Sequence, residues 1–184
     1  HNSHGKIQKQ IRREIGMLFQ GSALFDSLSV EQNIMFPLDM MTKGKTYEEK
    51  LERVNCCLKR VGLEGINEKM PSEISGGMQK RVGIARAIVL NPRYLFVDEP
   101  NSGLDPQTAI KIDQLIMEIT KEYDMTTVIV THDMNSVVDI GENIIFLYKG
   151  EKLWEGNKEQ IRFADVPELN DFLDSSTLMK KWRG

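Results

Sequence analysis

The sequence predicts an α/β fold, a core of parallel strands joined to a helical subdomain. Between residues 94 and 148, apolar runs bounded by turn residues alternate with segments of helical period. The order strand, helix, strand, helix, strand specifies crossover connections and a parallel sheet, with its ligand site at the carboxyl ends of the strands. Residues 29–90 instead carry helical periodicity and helix-cap signals. With 40% hydrophobic and 28% charged residues among 184, the chain has the composition of a globular domain with a core to bury.

The opening residues are polar and are expected to be loose. Ile15 through Phe19 is a short apolar run closed by Gln20-Gly21, which reads as a strand and then a loop. Ser29-Val30-Glu31-Gln32 has the Ser-x-x-Gln form of a capping box, so a short helix should follow and end near Pro37. Thr46-Tyr47-Glu48-Glu49 is a second box. Behind it Leu51, Val54, Leu58 and Val61 recur at helical spacing and Gly62 closes the segment, predicting a helix over 46–61.

Val82, Ala85, Ile88 and Val89 mark an amphipathic helix over 78–90, which begins at Ser75-Gly76-Gly77 and ends at Asn91-Pro92. Tyr94-Leu95-Phe96-Val97 is a continuous apolar run of the kind that fills a buried parallel strand. Asp105-Pro106 offers an N-cap and a first-turn proline to a helix carrying Ile112, Leu115, Ile116 and Ile119. Strands at 126–131 and 143–148 flank a helix over 134–140, and Lys149-Gly150 turns the chain into a further extended run. The domain divides into a helical part at 22–91, an α/β core at 92–160 and a polar tail at 161–184. Phe163, Leu169, Phe172 and Leu173 would anchor that tail on the surface.

A net charge of −3 lacks the basic excess of a duplex-binding protein, so no nucleic-acid partner is expected. No apolar run approaches the roughly 20 residues of a membrane helix, and no signal-peptide pattern is present, which predicts a soluble, cytoplasmic chain. Cys56 and Cys57 are adjacent, a spacing that suits neither an ordinary disulfide nor a metal site.

The chemistry concentrates at a few positions. Asp98 and Glu99 end the apolar strand 94–97, where two neighbouring carboxylates are costly to bury unless a cation compensates them. Magnesium arriving with a nucleotide would do so, Asp98 holding the metal and Glu99 polarising a water that attacks the terminal phosphate. The plainer alternative is an acidic pair that caps a strand end. Ser75, Gly76 and Gly77 open a helix and offer backbone N–H groups, a hydroxyl and the positive end of a helix dipole to an anion; a plain hinge would look the same. His132 follows the strand 126–131 and so is expected at the same sheet edge as Asp98, reaching a phosphate or the attacking water, or serving only structure. Gln20 ends the first strand in the same manner and could ligate magnesium with a neutral amide. Asp105 has a sufficient explanation as a helix cap.

Taken in order, these residues resemble the ATP-binding subunit of ABC transporters. Gln20 matches the Q-loop, Ile74 through Gln79 the signature motif, Tyr94 through Glu99 the Walker B strand, Ser102-Gly103-Leu104-Asp105 the D-loop and Thr131-His132-Asp133 the H-loop. The resemblance runs from about Ile15 to Gln160 and implies a P-loop NTPase fold of the ABC type. It implies ATP and Mg2+ as cofactors, with Asp98 and Gln20 at the metal, Glu99 as the base and His132 on the γ-phosphate. Two ATPase subunits would form a homodimer in which Ser75 and Gly77 contact the γ-phosphate bound to the opposite subunit, and Gly76, Gln79, Gln20 and Asp105 would also bind the nucleotide cofactor. An integral membrane permease would be the further partner, placing the protein in the cytoplasm, peripheral on the inner face of the inner membrane.

The stretch Gly16-Met17-Leu18-Phe19-Gln20 through Val30, with Asn33, Phe36-Pro37-Leu38, Met70-Pro71-Ser72-Glu73 and 167–173, is similar to the Mla-type ATPases. These work with MCE-domain proteins in lipid transport across the bacterial envelope, so the resemblance implies (phospho)lipid cargo and an MCE-domain substrate-binding partner. Amino-acid importers, cell-division complexes and soluble ABC ATPases acting on ribosomes or DNA share the generic motifs. One departure is large: no Gly-x-x-x-x-Gly-Lys-Ser/Thr phosphate loop occurs in these 184 residues. In the family that loop lies ahead of the position of His1, which implies an N-terminally truncated domain. These residues alone are then expected to have a gap in their core, to bind ATP poorly and to hydrolyse it negligibly.

Overall fold

Two parallel strand pairings set the frame of the first of two units into which the chain divides, the boundary falling between Val130 and Thr131. The structure, a computed structural model, describes residues 2–174. Strand β1 (Ile15–Leu18) pairs with β2 (Tyr94–Asp98), Ile15 opposite Tyr94 and Leu18 opposite Val97. β2 pairs in turn with β3 (Thr126–Val130), Asp98 opposite Val130. The order is β1-β2-β3 and every pairing is parallel, as the alternation predicts. The Glu14 carbonyl accepts the N–H groups of Arg93 (2.9 Å) and Tyr94 (3.0 Å) and so sets the register.

The start of the chain is a helix, α1 (Asn2–Arg13), rather than the loose segment expected. Lysine, glutamine and arginine dominate 6–13, and strong helix formers with no intervening proline prevail over their polarity. β2 also departs from expectation. Leu95 and Val97 are buried, whereas Tyr94 and Phe96 on the opposite face are 40% and 39% exposed, so the apolar run alternates between a packed and a half-open face.

Helices cover the packed face. α2 (Val30–Met41) begins with the complete Ser29/Gln32 capping box but continues through Pro37 instead of ending there. The proline forfeits one backbone donor. Burial of Val30, Ile34, Met35 and Leu38 favours continuation, at about 1.5–3 kcal/mol for each large side chain. The Leu38 carbonyl then accepts both the N–H (2.9 Å) and the hydroxyl (2.5 Å) of Thr42, which finishes the helix. α3 (Tyr47–Arg60) has the Thr46/Glu49 box at one end and Val61 as its C-cap. α4 (Gly76–Ile88) starts at the cap Ser75, and α5 (Pro106–Glu122) at Asp105. Val54, Leu58, Val82, Ile88, Leu95, Ile112 and Ile116 meet in one core. At Gly16 a Cβ would collide with the Ala87 carbonyl, so glycine lets α4 lie directly on the β1 backbone.

The second unit contains α6 (Met134–Ile140), β4 (Ile144–Tyr148), β5 (Glu151–Gly156), α7 (Lys158–Ile161) and α8 (Pro167–Asp174). β4 was expected to continue the parallel alternation; its partner is β5, and the pairing is antiparallel. Lys149 and Gly150 both have positive φ (48° and 84°), and two such central residues make the tight hairpin turn that folds a strand back on its neighbour. Ile161, Ala164, Leu169 and Leu173 form this unit's core, and the Phe146 and Phe172 rings lie 5.7 Å apart. Of the expected tail anchors, Phe163 is 82% exposed and anchors nothing among the described residues. The remainder of the tail, 175–184, lies outside the described residues.

Candidate active site

β2 delivers Asp98 and Glu99 at its carboxyl end, both half-buried. Glu99 has φ +45°, a left-handed backbone that a side-chain-bearing residue seldom adopts, and its surroundings fix it there. Its N–H donates to the Val130 carbonyl (2.9 Å), while its own carbonyl accepts from the Ser102 N–H (3.2 Å) and from Lys80 Nζ (3.1 Å). The turn that follows is tied to α5: Asn101 Nδ2 donates to both carboxylate oxygens of the largely buried Asp113, each at 3.0 Å. Asp105 caps α5, accepting from the N–H groups of Gln107 (3.1 Å) and Thr108 (3.0 Å) and the Thr108 hydroxyl (2.5 Å). Those bonds hold its carboxyl below the ordinary aspartate value, the Thr108 hydroxyl contributing most.

The glycine turn sits beside α5. Ser75 is exposed and accepts the Met78 N–H through its hydroxyl (3.3 Å), and Gly76 is exposed too. A Cβ on Gly77 would lie 2.9 Å from the Thr108 methyl, so this glycine is also required by the contact between α4 and α5. Gln79 faces backwards: its amide donates to the carbonyls of Pro71 (2.9 Å) and Ile74 (3.4 Å), bracing the turn from behind.

Gln20 lies just beyond β1. Its amide donates to the Ser102 hydroxyl (3.4 Å), and its backbone carbonyl accepts from Lys80 Nζ. The fold thus joins Gln20, the Glu99 backbone and the 102–105 turn in one neighbourhood of the first unit. His132 is exposed and belongs to the second unit, between Thr131 and the α6 cap Asp133.

Among the described residues, no three His, Cys, Asp or Glu side chains cluster as a metal cage. A carboxylate and a neutral amide nevertheless fit Mg2+, which takes one or two protein oxygens and completes its shell with water and substrate phosphates.

Three side chains that sequence reasoning did not single out for roles organise this neighbourhood. Lys80 is 4% exposed and holds two backbone carbonyls. Burial pushes its ammonium below the usual lysine value, with Asp98 and Glu99 acting in the opposite direction. Arg86 donates to the carbonyls of Ser22 (2.6 Å) and Ala23 (2.8 Å), whose φ values are +63° and +44°. Asn33, fully buried, bonds both backbone groups of Phe25. The signal for Lys80 was present in the sequence: it shares the i, i+4, i+8 stripe of Ile84 and Ile88, a buried stripe on which a lysine needs a reason.

Residues 1–102 match the family model described as ABC transporter. A probable ribonucleotide transport ATP-binding protein of Mycobacterium leprae is 42% identical over 165 residues, covering 90% of this chain and 47% of the relative. A methionine import ATP-binding protein of Protochlamydia amoebophila is 39% identical over 153 residues, covering 83% and 44%. The chain therefore spans about half the length of the curated relatives it matches. Among solved structures, a dimeric ATP-binding cassette in a post-hydrolysis state, bound to ADP and phosphate, superposes with a TM-score of 0.74 at 37% identity. That match covers 84% of this chain and 67% of the other.

Proposed function

This chain belongs to the ABC transporter family, and on that premise we propose that the complete protein is the ATP-binding and ATP-hydrolysing subunit of a transporter. The observation that carries the reading is the end of β2, where Glu99 is held in a left-handed backbone beside Asp98 and is joined through Lys80 to the Gln20 loop. Glu99 takes a proton from the attacking water as general base. Asp98 and Gln20 would hold Mg2+, which when bound neutralises charge on the phosphate oxygens. His132 orients the γ-phosphate. Ser75, Gly76 and Gly77 present their N–H groups and hydroxyl to nucleotide bound mainly by a second copy of the subunit, Gln79 bracing the turn and Asp105 fixing the neighbouring one. Tyr94 and Phe96 on the second face of β2 are half-exposed, and since parallel sheets are ordinarily covered on both sides, we further propose that this face is covered in the working assembly.

For cargo we favour (phospho)lipid, with an integral membrane permease and an MCE-domain protein as partners, because of the residues around Gln20 and at 167–173. Attachment at the cytoplasmic face would come through the permease; among the described residues no helix is long and apolar enough to cross a membrane. The methionine-import relative supports a second reading, a small-molecule importer. Affinity purification of the complete protein from solubilised membranes tests both. Expected are a co-purifying integral membrane permease, ATP-dependent phosphate release and phospholipid bound to the complex. Methionine-stimulated turnover without bound lipid supports the second reading; co-sedimentation with ribosomes or DNA contradicts both.

A further inference from the structure

Lys80 occupies a position that packing alone does not explain. It projects from the second turn of α4 into the first unit's interior, 4% exposed, where an ammonium is costly unless its donors are used. Its Nζ reaches two carbonyls, those of Gln20 after β1 and Glu99 after β2. These belong to the two loops that carry the proposed metal ligand and the proposed base. Neither loop is relaxed: Glu99 has φ +45°, and Ser22 and Ala23, close behind Gln20, also have positive φ. A side chain that only filled space on α4 could be apolar, like Ile84 and Ile88 on the same stripe.

We propose that Lys80 is a positioning residue for the reaction: one ammonium clamps the Gln20 and Glu99 carbonyls, fixes the backbone that aims the Glu99 carboxylate, and makes the Gln20 loop and the base move together. The inference rests on the ATPase reading above and deepens it. The Glu99 carbonyl has two donors, the Ser102 N–H and Lys80 Nζ, and Ser102 also accepts from the Gln20 amide. The clamp therefore closes a circuit of Gln20, Lys80, Glu99 and Ser102 in which a shift of one loop is felt by the others. Without Lys80 the Gln20 and Glu99 carbonyls both lose the donor that joins them, the Glu99 carbonyl is left with the Ser102 N–H, and a rotation of that peptide swings the carboxylate from its aim. Misplacement of a reacting group by about 1 Å costs on the order of 10²-fold in rate, while binding contacts elsewhere are retained.

The test uses the complete protein, comparing wild type, Glu99→Gln, Lys80→Met and Lys80→Arg for steady-state phosphate release, ATP affinity and melting temperature. Expected for Lys80→Met is a fall in kcat of about 10- to 100-fold with ATP affinity changed by less than about threefold. Lys80→Arg, which keeps its donors, should recover much of that loss. A Lys80→Met protein with wild-type kcat overturns the proposal, as does a loss of kcat matched by an equal loss of ATP affinity or not relieved in Lys80→Arg. If Lys80→Met fails to fold, Lys80→Gln replaces it under the same criteria. Wild type that releases no phosphate sinks the ATPase reading and this inference with it. Wild type that turns over and is stopped by Glu99→Gln, but is indifferent to Lys80→Met, sinks this inference alone.

Discussion

Replacing Asn33 with alanine isolates one buried side chain that shapes the loop after Gln20. Asn33 Oδ1 accepts the Phe25 N–H at 2.8 Å, and Nδ2 faces the carbonyls of Phe25 (3.1 Å), Leu28 (3.0 Å) and Ser29 (3.0 Å), of which its two protons serve two at a time. Alanine leaves the Phe25 N–H and the Leu28 carbonyl to find other partners, while the Phe25 and Ser29 carbonyls keep the N–H groups of Leu28 (3.0 Å) and residue 33 (2.9 Å). A buried polar group left unpaired costs about 1–3 kcal/mol, but the loop is partly exposed and water can reach its carbonyls. The Phe25 N–H and part of one carbonyl then remain uncompensated, which sums to about 2–3 kcal/mol. At about 2–4 °C per kcal/mol for a domain of this size, Asn33→Ala should lower Tm by about 4–12 °C. Thermal unfolding followed by circular dichroism reads the shift, and hydrogen exchange should show faster exchange in peptides containing Phe25. A Tm within about 1 °C of wild type, with Phe25 exchange unchanged, would refute the claim that Asn33 holds this loop.

Other substitutions and reagents probe separate parts of the structure. Gly16→Ala drives a Cβ into the Ala87 carbonyl and against the Pro92 ring, so α4 must move off β1; a loss of about 1–3 kcal/mol in urea unfolding is expected, and an unchanged midpoint contradicts the close approach. Iodoacetamide at pH 8 should label the exposed Cys56 and spare the buried Cys57 until the protein unfolds, as read by peptide mass spectrometry; equal labelling of both contradicts the packing of α3. Burial pushes the Cys57 thiol up to about 11. Its folded pKa lies above the unfolded one, so its contribution to stability is complete below the unfolded thiol's pKa and is lost as pH rises through about 11. Cys57→Ala should flatten that alkaline decline.

Much of the fold was legible because local chemistry and tertiary packing agree. The Thr46/Glu49 box and Gly62 bracket α3, and Asp105-Pro106 opens α5, since these residues act within one helical turn of themselves. Legibility failed where a distant partner decides. Pro37 reads as a stop, yet Ile34 and Leu38 are buried on both sides of it and carry the helix through. Strand β4 fits the alternating pattern, but the pair of positive-φ residues at 149 and 150 commits it to β5. Within the site, the acidic strand end and the glycine turn stood out by composition. Gly77 turned out to meet Thr108, a neighbour set by tertiary structure, and Lys80 matters through two backbone carbonyls 60 and 19 residues away that no local pattern could join.

The central claim, that the end of β2 is a hydrolytic site with Glu99 as its base, is tested most directly by Glu99→Gln in the complete protein. Glutamine keeps the size and loses the proton-accepting charge. Phosphate release should fall by about 10²- to 10⁴-fold while ATP binding, measured under the same conditions, persists. Turnover at the wild-type rate would contradict the account.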